Sequence, residues 1–370
     1  MKSNYKQLGR YIRPVDVRNR DLAVTRLLGV SIAKEFMPSI ANTVGTDMSS
    51  YKVVRKGQFA YGPVTSRNGD KISVALLREE ECIISQAYTA FEIIDTNELA
   101  PEYLMLWFSR PEFDRYARFH SHGSVREIFG WDEMCRVELP VPDIEEQRNF
   151  VRSVNLLQHR IHMLERIGLI VEQSTQFIFD KLISQEGNLA TVDEWINFNP
   201  KRTLSKGMVA SCFEMASLPI QGASLARGEK KPYNGGMRFR NGDTLIARIT
   251  PCLENGKAAF VSGLSDNEVA FGSTEVIVME AKNPEYEALP YFLVRNKKFI
   301  AFATEFLNGS SGRQRVSASQ LASFKMPLIE KSELDKVASI GRRALAYLGM
   351  VSRQINVLRD TVYTLVNSNI

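Results

Sequence analysis

Three groups of residues have the types and spacing to do chemistry. The first is Pro142-Asp143 with Glu145 and Glu146, in LPVPDIEEQRNF (139–150). A Pro-Asp pair opens the PD…ExK pattern of metal-dependent nucleases. That pattern needs a second acid two residues before a lysine to hold the metal and polarise water. The glutamates that follow, in EEQ, ERI, EQS and EGN, give no such triplet. The same residues suit a helix start. Pro142 holds Val141 extended, Asp143 can cap the first turn, and Glu145 and Glu146 sit where the helix dipole favours negative charge. The second group is His120 and His122 in FHSHGS, with no third ligand nearby. A polar loop or a phosphate contact suits them better than a metal. The third is Cys82, Cys135, Cys212 and Cys252, too far apart for a CxxC site. They read as idle or buried thiols of a reducing compartment.

Cofactor chemistry finds no support either. A methyltransferase acting on base amino groups needs an Asn-Pro-Pro-Tyr/Phe type of loop and a glycine-rich turn, and FNPKR (198–202) fails after its proline. ENGKAA lacks the glycine that would make a phosphate loop around Gly256. Catalysis by this chain alone is therefore not expected, and neither a metal nor a cofactor is assigned to it.

The elements that would position such residues form a duplicated pattern. The 370 residues suit two or three domains. Apolar residues make up 44% and charged ones 24%, enough for real cores. No run of 18 apolar residues occurs, and MKSNYKQLGRYIRP has no apolar leader segment. A cytoplasmic protein is expected. At an offset of about 187, GSVREIFGWDEMCRVELP (123–140) lies over SSGRQRVSASQLASFKMP (310–327). That places Ser124 on Ser311, Arg126 on Arg313, Phe129 on Val316, Met134 on Leu321 and Pro140 on Pro327. Tyr103 falls on Tyr291, Asn68-Gly69 on Asn255-Gly256, and Tyr11 on Trp195.

Each half starts with β-branched, aromatic-rich stretches bounded by Gly, Asn and Pro: 58–64 and 82–94, then 243–249, 258–263 and 273–280. A helical stretch follows, PEYLMLWFSRPEFDRYARF in one half and PYFLVRNKKFIAFATEFL in the other. Each half then ends in a long helix. Val151, Val154, Leu157, Ile161, Leu164, Val171, Ile178 and Leu182 make a heptad-like stripe, and a similar one runs from Leu334 to Leu365. Helices of 35–40 residues are about 55–60 Å long and need a partner along the stripe. The other copy can supply it, antiparallel if a pseudo-twofold axis relates the halves.

Motif, duplication and helix pair together resemble the specificity subunits of type I restriction–modification systems. LPVPDIEEQ (139–147) resembles that family's entry into its first conserved helix, and GSVREIFGWDEM (123–134) the segment before it. QLGRYIRPVDVRN (7–19) and VDEWINFNPKR (192–202) resemble domain starts, and KGQFAYGPVTSRNGDKISVAL (56–76) a target-recognition core. The second helix entry, MPLIEKSELDKV (326–337), departs from the pattern, lacking the second proline and the glutamine. It puts Ser332 and Glu333 at the helix start.

The resemblance implies an α+β fold: two mixed target-recognition domains in pseudo-twofold arrangement, separated by two long antiparallel coiled-coil helices. The boundaries would be 1–142 and 186–330 for the domains, 143–185 and 331–370 for the helices. It implies a non-catalytic subunit whose domains each read half of a bipartite, asymmetric double-stranded DNA target. The helices would set the spacer and dock two methyltransferase subunits. Motor-nuclease subunits would complete a phage-defence complex, with S-adenosylmethionine, ATP and Mg in the partner subunits.

Contacts are expected from matching loops. In GPVTSRNGDK (62–71), Thr65, Ser66, Arg67, Asn68 and Lys71 can donate to phosphates or base edges, and Tyr61 can support or stack. RITPCLENGK (248–257) offers Arg248, Thr250, Asn255 and Lys257; Arg238 and Arg240 add charge. Arg126, Arg313 and Arg315 precede the helices. The formal net charge is +5, and residues 227–257 hold seven Lys/Arg against three acids, a net of +4. Trp107, Trp131 and Trp195 read as core. A scaffold that assembled partners without reading sequence would have no need of two such loops.

Overall fold

The computed structural model describes residues 5–39, 45–66, 68–124, 126–226, 228–310 and 312–369, leaving out the Asn369 side chain. The chain divides into two compact units, Met1–His159 with Leu358–Ile370, and Arg160–Val357. Each unit contains part of both long helices.

In the first unit the strand Tyr5–Gln7 pairs with Glu138–Pro140, joining the start of the unit to the residues before the first long helix. The central sheet is antiparallel, in the order Ile12–Val15, Thr89–Ile93, Phe59–Tyr61, Val74–Leu76. Helices α1 (Pro101–Phe108), α2 (Pro111–Phe119) and α3 (Trp131–Arg136) follow, then α4 (Ile144–Ile183). The single helix read over 101–119 breaks at Ser109-Arg110, because Pro111 has no N–H to donate and forces Arg110 extended. Likewise the strand read over 82–94 is two strands in different sheets. Cys82–Ile84 pairs with Lys52–Val54, and a turn closed by Tyr88 N–H on the Ser85 carbonyl intervenes before Thr89.

The second unit repeats this plan. Leu189–Thr191 pairs with Lys325–Pro327, and its sheet runs Ile196–Phe198, Val276–Ala281, Thr244–Ala247, Ala258–Phe260. Helices α5 (Ala288–Arg295), α6 (Lys297–Glu305), α7 (Ala318–Ala322) and α8 (Lys331–Asn369) follow. The break before α6 falls at Asn296, whose side chain accepts from Lys298 N–H and Phe299 N–H as a helix cap. Every helix of the first unit thus returns 186 or 187 residues later. The aligned pairs Phe129/Val316 and Met134/Leu321 are all fully buried. The halves differ elsewhere. Among the described residues, the first carries two further two-stranded sheets, Leu28–Val30 with Phe36–Pro38 and Lys52–Val54 with Cys82–Ile84, whereas the second has a four-stranded one ordered Glu229–Pro232, Val209–Phe213, Ala270–Gly272, Met237–Phe239.

The heptad stripe faces inward. Val154 and Val366 sit in the first unit's core with Phe150, Val151 and Val362 around them. In the second unit a Cβ on Gly168 would touch Leu348 and Val351 at 3.7 Å, and Gly341 lies against the Phe179 ring. Positions rise on α4 as they fall on α8, so the helices are antiparallel there. Gly341 is needed for close approach, since a Cβ would stand 2.8 Å from that of Ala288.

Asp143 does cap α4, its Oδ1 accepting from Glu146 N–H at 2.9 Å. Gln147, fully buried, fixes the helix to its domain. Its Oε1 accepts from Ala100 N–H (2.9 Å), and its Nε2 donates to the carbonyls of Glu98 and Pro142 (2.9 Å each). This is the structural use of the glutamine in LPVPDIEEQ. Leu334 is its counterpart on α8, buried and apolar. Among the described residues, no helix is long and apolar enough to cross a membrane.

Candidate nucleic-acid interface

In each unit, a loop leaving the central sheet is stitched to the loop before the third helix. The sheet register aligns Phe59 with Thr244, because both pair within equivalent strands. Pro63, Val64 and Thr65 therefore correspond to Arg248, Ile249 and Thr250. In the first unit Phe129 N–H donates to the Pro63 carbonyl (2.8 Å) and Thr65 N–H to that of Glu127 (3.0 Å), with a bridge between Val64 and Ile128. In the second, Val316 N–H donates to the Arg248 carbonyl and Thr250 N–H to that of Gln314, both at 3.0 Å, with a bridge between Ile249 and Arg315. The two sequence groups expected to contact DNA, the inter-strand loops and the Gly/Ser loops with their arginines, are thus neighbours in both units.

The aligned Asn-Gly pairs also keep their geometry. Gly69 and Gly256 have φ of +65° and +72°, the left-handed region where glycine turns a chain without strain.

Inside the first loop pair, two expected contact residues are withdrawn from the surface. Tyr61 is 0% exposed, packed against Phe91 and Phe129, and burial pushes its hydroxyl up to about 12. Thr65 is 1% exposed, its hydroxyl donating to Ser121 Oγ at 2.9 Å. Both position the loop from beneath. Ser66, Lys71 and Arg126 are exposed and Asn68 half-exposed. Lys71 and Arg126 have no ion-pair partner among the described residues, whereas Arg118 is paired with Glu127. Arg67 lies outside the described residues.

In the second unit part of the basic stretch is neutralised within the protein, by acids inside the linear window and beyond it. Lys230 pairs with Glu268 (2.7 Å) and Arg240 with Glu280 (2.8 Å). Lys231 pairs with Glu229 (2.9 Å) and approaches Glu214. Lys257 Nζ donates to the Met215 carbonyl at 3.2 Å. Arg315 meets Glu275 through Nε (2.9 and 3.1 Å) and Nη2 (2.7 Å). Arg240 and Arg315 are thus ion-paired, and Lys257 is tied to a backbone carbonyl. Arg227 is outside the described residues. Arg238 is half-buried with its guanidinium 6.0 Å from the Tyr233 ring. Arg313 and Asn255 are exposed. Arg248 Nε and Thr250 Oγ1 are buried with no hydrogen-bond partner among the described residues.

The histidines diverge. His120 stacks on Tyr116 at 4.2 Å with Nδ1 3.5 Å from Glu133. His122 is exposed and lines a depression of about 290 Å³ with Trp131, Asp132 and Arg136. Among the described residues no cluster of three possible metal ligands occurs. The four cysteines are free, and burial pushes the Cys82 thiol up to about 11.

Arg295 is a residue the sequence reading passed over. It is mostly buried under the second loop, and all five of its N–H groups have acceptors. Nη1 donates to the carbonyls of Ile220 and Gly256 (2.7 Å each), Nη2 to Gly222 (2.7 Å) and Ala258 (3.0 Å), and Nε to Tyr291 Oη (3.2 Å). Tyr291 in turn donates to Glu172 on α4. An arginine ending a helix read as core carried no local signal of this.

With this geometry in hand, the chain can be set against known proteins. No protein-family model matches it. Over 141 residues it is 27% identical to the Escherichia coli type I restriction enzyme EcoEI specificity subunit, covering 38% of this chain and 23% of that protein. Over 91 residues it is 38% identical to the E. coli EcoAI specificity subunit, covering 24% of this chain and 14% of that one. The matched segments thus span less than a quarter of either relative. The crystal structure of the type I restriction–modification system S subunit from M. genitalium superposes over 98% of this chain and 94% of its own, with a TM-score of 0.58 and 14% identity. The chain has the fold of a type I specificity subunit. The sequence likeness to EcoEI and EcoAI and this fold agree with the resemblance carried by the helix entry and the duplication.

Proposed function

We propose that this chain is the non-catalytic, DNA-reading specificity subunit of a type I restriction–modification complex, acting in the cytoplasm. The observation that carries this is the pair of stitched loops, at the same place in two duplicated units yet chemically different. Duplication provides two readers, and the difference makes a bipartite target asymmetric. Bases are read by donors and acceptors set in a groove, while phosphate contacts fix register. Ser66, Asn68, Lys71 and Arg126, with Arg67, are the first unit's contact groups; Asn255, Arg313 and Thr250 are the second's, and Arg248 lies in the same loop.

The paired helices α4 and α8 fix the spacer between half-sites and receive two methyltransferase subunits. S-adenosylmethionine, ATP and Mg belong to the methyltransferase and motor-nuclease partners. The test is selection from a duplex library with random spacers, using the full chain with its modification subunit. Recovery of a two-part motif of fixed spacing is expected. Binding without any recovered motif would leave only a scaffold.

A further inference from the structure

We propose that Glu275 determines how selectively the second unit reads DNA: it holds Arg315 in a two-pronged pair and faces Arg248, so that neither arginine acts as a free phosphate anchor. The inference rests on the DNA-reading function proposed above.

The geometry places three charged residues at one junction. Arg315 directs Nε and Nη2 at the Glu275 carboxylate, and its remaining Nη1 donates to the Arg313 carbonyl at 3.0 Å. Arg248 and Glu275 stand opposite each other one step beyond the Ala247–Val276 pair, with Arg248 N–H donating to the Glu275 carbonyl at 2.9 Å, and opposed residues of an antiparallel pair carry their side chains on one face. Hydrogen bonds from Arg315, with the charge of Arg248 behind them, hold the Glu275 carboxyl below the usual range, so it stays ionised.

The fold does not require this arrangement. By sheet register Glu275 corresponds to Ala87, and by the loop bridges Arg315 and Arg248 correspond to Ile128 and Pro63. The first unit builds the same junction from three uncharged residues. Stability does not explain the charges either. The Arg315 and Glu275 side chains are 40% and 28% exposed, and ion pairs in that setting contribute little to stability.

A role in selectivity does explain them. Each free cation against the backbone adds affinity for every sequence alike, with a salt dependence of about 0.9 in slope per phosphate neutralised. A carboxylate that cancels one arginine and weakens another removes that indiscriminate term. Arg313 is left to fix register on the backbone, and Asn255 and Thr250 to provide contacts that depend on sequence.

The test compares the full wild-type chain with Glu275→Gln, on a random-sequence duplex and on the selected target, across a salt titration. Glu275→Gln should bind the random duplex severalfold more tightly, with a slope steeper by about 1–2, and the ratio of target to random affinity should fall. Arg315→Ala added to Glu275→Gln should reverse most of the change in slope, an outcome that a merely loosened loop would not give. An unchanged slope overturns the inference, whatever happens to affinity. So does loss of target binding with no gain on random duplex, which would make Glu275 itself a base contact. If the wild type selects no motif at all, the DNA-reading function fails along with it; if the wild type selects one and only the slope is unmoved, this inference fails alone.

Discussion

Arg126 and Arg313 occupy aligned positions, are exposed, and have no ion-pair partner among the described residues. Replacing either with alanine should remove about one phosphate contact and reduce the salt slope of duplex binding by about 0.9. Arg240→Ala should leave the slope unchanged, because Glu280 already neutralises that charge. Filter binding at several salt concentrations separates the two outcomes. Asp243 carries a pH dependence of its own. It is 1% exposed, and burial, only partly offset by the Arg240 N–H and the Arg202 guanidinium, pushes its carboxyl up to about 6. A carboxyl raised on folding favours the folded state when protonated. That contribution is complete below the unfolded value of about 4 and is lost as pH rises through the folded value. Wild type should therefore lose stability relative to Asp243→Asn as pH rises from about 4 to about 6, read from urea midpoints at each pH.

At the scale of elements, two side chains join helices to what they position. Gln147 satisfies one N–H and two carbonyls where α4 leaves its domain. Gln147→Ala should cost about 2–3 kcal/mol, since it leaves the buried Ala100 N–H without its acceptor and two carbonyls without their donor. A urea midpoint unchanged from wild type would show that α4 does not depend on this contact. Arg295 plays the corresponding part in the second unit, holding residues 220–222 and 256–258 together. Lysine has three donors on one nitrogen and cannot span four carbonyls. Arg295→Lys should lower stability by about 2–3 kcal/mol and blur the half-site read by the second unit, measured by denaturation and by motif selection respectively.

For the whole molecule, two units with unlike loops imply separable effects. Ser66→Ala combined with Asn68→Ala should degrade one half of a selected motif and leave the other half and the spacer intact. Blurring of both halves would mean that the units do not read independently. Much of this organisation was legible in the chain. The repeat at an offset near 187, the heptad stripe and the proline-marked helix entry are local or periodic signals, and burial periodicity survives low identity. The splitting of 82–94 into two strands was not legible, because Cys82–Ile84 and Thr89–Ile93 have the same β-forming composition and differ only in which strand they pair with. The four-stranded sheet around 209–239 was not read at all, because strands such as Glu229–Pro232, EKKP, have no β-forming composition and exist through their pairing.

The sequence by itself determined two similar halves, the long helices with their inward stripes, and which loops carry donors. These follow from residue type and spacing along one element. Only the tertiary structure decided which of those donors are free. Tyr61 and Thr65 went inside because their strand and loop lie beneath Phe129 and Ser121. Lys230 and Arg240 of the basic run at 227–257 were neutralised by Glu268 and Glu280, and Arg315 by Glu275, partners distant along the chain. Charge in a linear window sums whatever is adjacent along the chain. Charge on a surface depends on what folding brings within a few ångströms, and that pairing cannot be read from composition.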